Sequence, residues 1–423
     1  MFNNIFENKI LNNNSPVLVM GLNDKVQASY VWNLFGASKK NILVVTNTLY
    51  EANMLYKSLN QYDKDNILLF PMDDFLVSEA VATSPDLMSK RIETLNELAK
   101  NNIGKIVITN FMGYLRFLPS RKLWSSLNIN IKETDEINRD LLIQKLNMIG
   151  YKKDSIVTKT GEYANRGYIL DVFPYGYENP VRIEFFDDEI ESIREFSSDT
   201  QLSMKKKDNI EICPFTEFIN EKNVEDILER QSLLPRVVKK VSKIEDYLDN
   251  NITVYLDLNS IKLAYEKTMN EVLEFKETDQ FNIDKYMFDL NEVIKDKYVD
   301  ILKLDNYDLK KVEKEIYSST EIEKFNGNYD RINHFLKNML NSKKMIVVYL
   351  NDDHAVADFV SKTILPSVIT NLSDLKKDVI NIVKGDIPNG FIINDLVCLT
   401  KDELYKSNSV TTYRSKFKYG SII

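Results

Sequence analysis

The chain is poor in the residues on which much enzyme chemistry depends. Its 423 residues hold 2 histidines, His334 and His354, too few for a His-based metal site or catalytic triad. The 2 cysteines, Cys213 and Cys398, stand far apart with no CxxC spacing. That excludes a disulfide framework and a zinc ribbon, and makes a reduced cytoplasm the default compartment. Glycine is scarce, 12 in all, which leaves little material for glycine-rich catalytic loops. A basic excess is also missing: 55 Lys and Arg face 63 Asp and Glu, for a net charge of −8. A surface whose main work is wrapping DNA needs the opposite balance, although a local basic patch stays open. No apolar run approaches a membrane span, and the opening MFNNIFENKI lacks a basic segment followed by an apolar core, so no membrane partner is expected.

What is present describes an ordinary globular protein, 43% hydrophobic and 28% charged. Its length exceeds a single core and predicts roughly three or four domains. Up to about residue 125, buried-strand and helix patterns alternate. PVLVM (16–20), NILVVT (41–46), NILLF (66–70) and KIVIT (105–109) are continuous apolar runs. Between them lies a helical stripe of Leu49, Ala52, Leu55, Tyr56 and Leu59, and Ser84-Pro85 opens a further helix as cap and first residue. This rhythm predicts a parallel sheet covered on both faces.

The first strand-to-helix junction is where a phosphate-binding loop would read G-x-x-x-x-G-K-[ST]. Here it reads Gly21-Leu22-Asn23-Asp24-Lys25-Val26-Gln27-Ala28. Val26, Gln27 and Ala28 replace the second glycine, the phosphate lysine and the magnesium hydroxyl; Lys25 is out of register, and Asp24 adds negative charge. Further on, ITVYLD (252–257) has the form of a Walker B strand ending in Asp257, but Leu258 stands where a water-polarising glutamate is needed. Both halves of one nucleotide site are degenerate, so no cofactor is expected in this part of the chain.

Residues 161–201, GEYANRGYILDVFPYGYENPVRIEFFDDEIESIREFSSDTQ, carry a different signal. They predict short strands at 168–173, 181–186 and 190–196, with a break over 175–180 and a turn at Asp187-Asp188. Alternation puts Val181, Ile183 and Phe185 on one face and Arg182, Glu184 and Phe186 on the other. Phe186 should therefore stand on the wet face of an antiparallel sheet beside Arg182. A strand-end Phe is often covered by a loop, and a surface arginine is often merely solvated. An aromatic flanked by arginine on a wet sheet is also the composition of a binding hot spot.

Arg166-Gly167, LDVFP (170–174) and RIEFFDDEIESI (182–193) resemble the small domain shared by two families of bacterial repair proteins, UvrB and the transcription-repair coupling factor, Mfd. NTLYEANMLYKSL (47–59), residues 70–98 and ITNFMGYLRFLPSRKLW (108–124) resemble Mfd more closely, as does GDIPNGF (385–391) with LVCLT (396–400) and ELY (403–405). The resemblance identifies the chain as an N-terminal piece of that family. It implies an α/β fold: a degenerate, helicase-like (UvrB-like) parallel-sheet domain, interrupted by a small α+β inserted domain and followed by a further small α/β domain. The expected bounds are 1–125 and 210–322 for the two halves of the first domain, 126–209 for the insert, 323–407 for the third domain and 408–423 for a linker carrying Arg414, Lys416 and Lys418.

Within this frame the insert begins with a helix near 140–149, with Leu142, Leu146 and Ile149 on one stripe and Gly150 after its end. The chain is expected to return to the first sheet through 210–215, with helices over 221–234 and 308–316. KMIVVYL (344–350) predicts a buried strand followed by a helix over 352–364, where Asp353 and His354 suit helix capping better than catalysis.

The family resemblance implies a non-catalytic module that recruits the damage-recognition protein UvrA, through Arg166, Arg182 and Phe186. In the family, that face is covered in the resting protein by a C-terminal domain. The parent would be an ATP-dependent DNA translocase that displaces stalled RNA polymerase. ATP and magnesium, RNA polymerase and double-stranded DNA would bind parts absent here. Two alternatives remain on residue grounds. A UvrB-type ATP-driven helicase would need the phosphate loop that Val26, Gln27 and Ala28 interrupt, and the long hairpin absent between Tyr114 and Leu141. DNA contact would fall on Arg116, Arg121 and Lys122, a cluster that also suits capping or solvating the end of the sheet.

Overall fold

The continuous apolar runs form the centre of a parallel sheet, because strands buried on both faces need no polar alternation. The structure is a computed structural model and describes residues 5–74, 84–225, 227, 229–276, 285–303 and 312–405. Seven strands lie in the order Glu313–Ile316, Val17–Met20, Val299–Ile301, Asn251–Leu256, Asn41–Thr46, Ile106–Asn110 and Ile67–Phe70. Every pairing among them is parallel. Ile42 and Val44 enter one core with helices Asp24–Ser38 and Leu49–Leu59, while Leu43 and Val45 enter another with helix Pro85–Lys100. Helix Leu49–Leu59 starts on a capping box, in which Thr48 accepts from the Glu51 amide and the Glu51 carboxylate accepts from Thr48.

The insert is a second sheet of six strands, ordered Ser203–Lys206, Glu189–Phe196, Val181–Phe186, Ile169–Val172, Glu162–Arg166 and Lys152–Lys153. Helix Arg139–Met148 covers its inner face with Leu142 and Leu146, and Gly150 (φ +94°) turns the chain where a Cβ would meet Thr216 at 2.7 Å. Strand Asn209–Ile212 pairs antiparallel with Ile129–Lys132, and Ile210 and Ile212 join the insert's core. The return through 210–215 thus stays with the insert instead of entering the first sheet.

Two helix expectations fail. Described residues from 221 to 230 form turns, and only the short helices Gln231–Leu233 and Leu234–Val237 follow. Over 308–316, Glu313–Ile316 is a strand paired with Val17–Met20, and residues 308–311 lie outside the described part. Glu315 explains the misleading pattern: it is a buried acid, receiving the Lys9 amide at 2.6 Å and the Tyr317 hydroxyl at 2.7 Å. A charged residue inside a short edge strand hides the two-residue period.

The third sheet runs Ser319–Glu321, Phe391–Ile393, Leu396–Leu399, Met345–Leu350, Ile380–Lys384 and Ser367–Ile369. It begins at Ser319, ahead of the expected boundary at 323. Val347, Tyr349, Phe391 and Cys398 pack into the core that holds helix Asp24–Ser38, while Ile346 and Val348 face the sheet's own helices. Asp352 caps helix Asp353–Lys362 by accepting from the Ala355 amide at 2.6 Å, and Asp353 pairs with Lys384. The expected linker 408–423 lies outside the described residues, as do residues 75–83 of the 70–98 stretch. No helix among the described residues is long and apolar enough to cross a membrane.

Candidate partner-binding site

The outer face of the inserted sheet is built around a buried acid. Asp171 interrupts the apolar strand Ile169–Val172 and is 0% exposed, so its charge needs partners close by. Register supplies them, since Asp171 lies opposite Arg182 on the neighbouring strand. Arg182 donates Nε to Oδ1 at 2.7 Å and Nη2 to Oδ2 at 2.9 Å, a two-pronged contact; Arg166 adds Nη2 to Oδ2 at 2.7 Å. The Arg182 guanidinium also lies 4.8 Å from the centre of the Phe196 ring. Hydrogen bonding to Asp171 raises the Arg182 pKa further above its ordinary value. The side chain of Arg166 is 47% exposed and that of Arg182 16%.

Val181, Ile183 and Phe185 are buried, and Phe186 is 69% exposed, as alternation requires. Phe186 lies four positions beyond Arg182, about 13 Å along the strand, while Arg166 stands two strands away, level with Glu184. Pattern reading missed two contributors, and it placed a third, Glu184, on the face without giving it a role. Asp171 is the anchor of both arginines, and an acid within ILDV, flanked by arginine-bearing strands, was its available signal. Tyr168, 66% exposed, stands in the turn before Ile169, where its carbonyl accepts from the Phe185 amide at 2.8 Å. Glu184 lies between Arg182 and Phe186 on the same face and accepts from the Ser192 hydroxyl.

The nucleotide-like junction is built differently. Asn23 caps helix Asp24–Ser38 with its own side chain, accepting from Val26 N at 3.1 Å. Val26, Gln27 and Ala28 are buried. Ser319 straps the loop, donating its hydroxyl to the Gly21 carbonyl at 2.7 Å and accepting from Asn23 N at 2.7 Å. A Cβ on Gly21 (φ +77°) would fall 1.8 Å from the Tyr317 carbonyl oxygen. Lys25 turns aside to Glu321 at 3.1 Å. At the second motif, Asp257 caps the next helix through Ser260, and Leu258 is buried with its amide on Asp300 at 2.9 Å. Burial, with the neighbouring Asp257 adding to it, pushes Asp300 up to about 7.

Two expectations about basic and metal-binding groups meet the structure here. Arg116 is not part of a surface patch: it is buried against Glu217 at 3.2 Å, and Arg121 pairs with Asp249 at 3.3 Å. Among the described residues, no group of three or more His, Cys, Asp or Glu side chains could hold a metal ion.

Residues 129–218 match the family model of the UvrB interaction domain, a span that takes in the whole outer face and extends past the expected insert boundary at 209. The chain is 26% identical over 449 aligned residues to the transcription-repair-coupling factor of Staphylococcus aureus (strain USA300), covering 92% of this chain and 38% of that protein. With the transcription-repair-coupling factor of Staphylococcus haemolyticus (strain JCSC1435) it shares 25% identity over 451 residues, at the same coverage. The chain therefore spans 38% of the length of these relatives. The chain is thus similar over nearly its whole length to the transcription-repair coupling factors, and the matched interaction domain coincides with the inserted sheet.

Proposed function

We propose that the outer face of the inserted sheet docks UvrA, and that this part of the chain is a non-catalytic adaptor in transcription-coupled nucleotide excision repair. The observation that carries the reading is Phe186, a large aromatic held 69% exposed on a rigid strand. Ordered exposed aromatics of this kind concentrate binding energy. Arg166 adds an accessible guanidinium on the same face, and Arg182 keeps that guanidinium in place by sharing Asp171 with it. Arg182 is thus a positioning residue first and a contact second. The adaptor reading is supported by the strapped, side-chain-capped junction at Gly21 and by the absence of a glutamate at Leu258. In the whole protein, ATP and magnesium would serve a separate DNA translocase that displaces stalled RNA polymerase in the cytoplasm.

The test is titration of purified UvrA with the chain and with Phe186→Ala. Loss of the ring should weaken binding at least about tenfold while the melting temperature stays within a degree or so. Equal affinity for the two proteins would overturn the assignment.

A further inference from the structure

Between the turn at Gly167-Tyr168 and the hairpin at Asp187-Asp188, the outer face opens into a cavity of about 420 Å³. Tyr168, Ile169, Phe185 and Phe186 line it together with Glu184, Asp187 and Glu191. The rings of Tyr168 and Phe186 are among the most exposed aromatics of the described residues. The Phe185 amide donates to the Tyr168 carbonyl at 2.8 Å and so ties the two turns together through the backbone. Glu184 is held by the Ser192 hydroxyl, and no cation forms an ion pair with Glu184, Asp187 or Glu191 among the described residues. Three carboxylates therefore line the same open space as two exposed rings, and the cation whose charge reaches Glu184, Arg182, is itself bound to Asp171.

Resting on the docking reading above, we propose that this groove receives a basic side chain, an arginine or lysine presented by the partner. Its aliphatic stem lies against Tyr168 and Phe186, and its charged head reaches Glu184, Asp187 and Glu191. Such a side chain combines the two chemistries the groove offers, because the stem of Arg or Lys buries well while the head stays among charges. An apolar side chain would remove water from three carboxylates and return nothing to them. An acidic one would meet like charge. Beside the groove the face has the opposite sign: Arg166 and Arg182 outnumber Asp171 by one charge. The partner surface should then carry a basic residue for the groove and an acidic residue for Arg166, which stands level with Glu184 two strands away, about 10 Å across the sheet, and this pairing fixes the docking direction.

The experiment compares three proteins in titrations of UvrA at several salt concentrations: the unaltered chain, Phe186→Ala, and the triple variant Glu184→Gln, Asp187→Asn, Glu191→Gln. The substitutions keep shape, and asparagine tolerates the positive φ of 53° at Asp187. The triple variant should bind roughly tenfold or more weakly at low salt, with a visibly flatter salt dependence and an unchanged melting temperature. If Phe186→Ala weakens binding but the triple variant binds as tightly as the unaltered chain, or more tightly, with the same salt dependence, the groove holds an apolar side chain and the inference fails alone. If Phe186→Ala binds UvrA as well as the unaltered chain, the docking reading fails and takes the inference with it.

Discussion

Among the described residues, a pair of arginines converges on one carboxylate in two places: Arg91 and Arg116 on Glu217, and Arg182 and Arg166 on Asp171. The chemistry is the same and the surroundings differ. Arg91 sends Nε to both Glu217 oxygens at 3.0 and 2.9 Å, and all three side chains are buried where the insert rejoins the first domain. At Asp171 the acid is equally buried, but its arginines lie in the outer surface. A closed triad can only hold structure together. An open one holds structure on its inner side and offers charge on its outer side, so access decides whether the same three groups can also recognise a partner.

The closed triad should give the largest effect. Glu217→Ala removes the buried carboxylate that Arg91 and Arg116 share, and we expect a loss of about 3 to 5 kcal/mol in urea unfolding. Protonation should do the same more gently. Burial alone would raise the Glu217 pKa, and the charges of Arg116 and Arg91 reverse that and hold it below its ordinary 4.5. A depressed acid adds stability that is present above 4.5 and lost as pH falls through its lower folded value. Acid unfolding of Glu217→Gln should accordingly lack this component, and an identical acid profile would show that the triad is not what joins the two domains.

The open triad should give an intermediate effect, and it modifies what the sequence implies. From pattern and resemblance, Arg182→Ala is expected to weaken partner binding without disturbing the fold. With two of the three hydrogen bonds on a buried carboxylate coming from Arg182, the same change should also cost about 2 kcal/mol of stability. Arg182→Lys keeps the charge but not the fork, and should recover only part of it. A melting temperature equal to that of the unaltered chain would mean that Asp171 finds another donor.

How much was legible follows from the kind of signal. The strands of the first sheet were visible because runs such as NILVVT are apolar throughout, and Val181–Phe186 because its alternation is clean. Phe186 was placed on the outer face by that alternation alone. The Asp171 anchor was hidden because pairing register, which sets Asp171 against Arg182, is a property of two strands and not of either one. Arg116 was misread for the same reason: its partner Glu217 lies 101 residues away. The strand Glu313–Ile316 was taken for helix because its inward residue is a glutamate satisfied by Lys9 and Tyr317, groups that no local window contains.

Arg166→Ala should have the smallest effect on stability, and it separates the two roles most cleanly. Arg166 gives Asp171 one hydrogen bond and keeps nearly half of its side chain in water, where ion pairs contribute about 0 to 1 kcal/mol. Arg182 still holds both oxygens of Asp171 when Arg166 is gone, so the acid is not left unpaired. The melting temperature should therefore stay close to that of the unaltered chain. UvrA affinity should fall by roughly tenfold if the guanidinium meets a carboxylate of the partner. Added salt should narrow the gap between the two proteins, because the missing interaction is a charge pair at a wet rim. A variant that lost stability as severely as Arg182→Ala would make both arginines structural, and leave Phe186 and Tyr168 to carry recognition on this face.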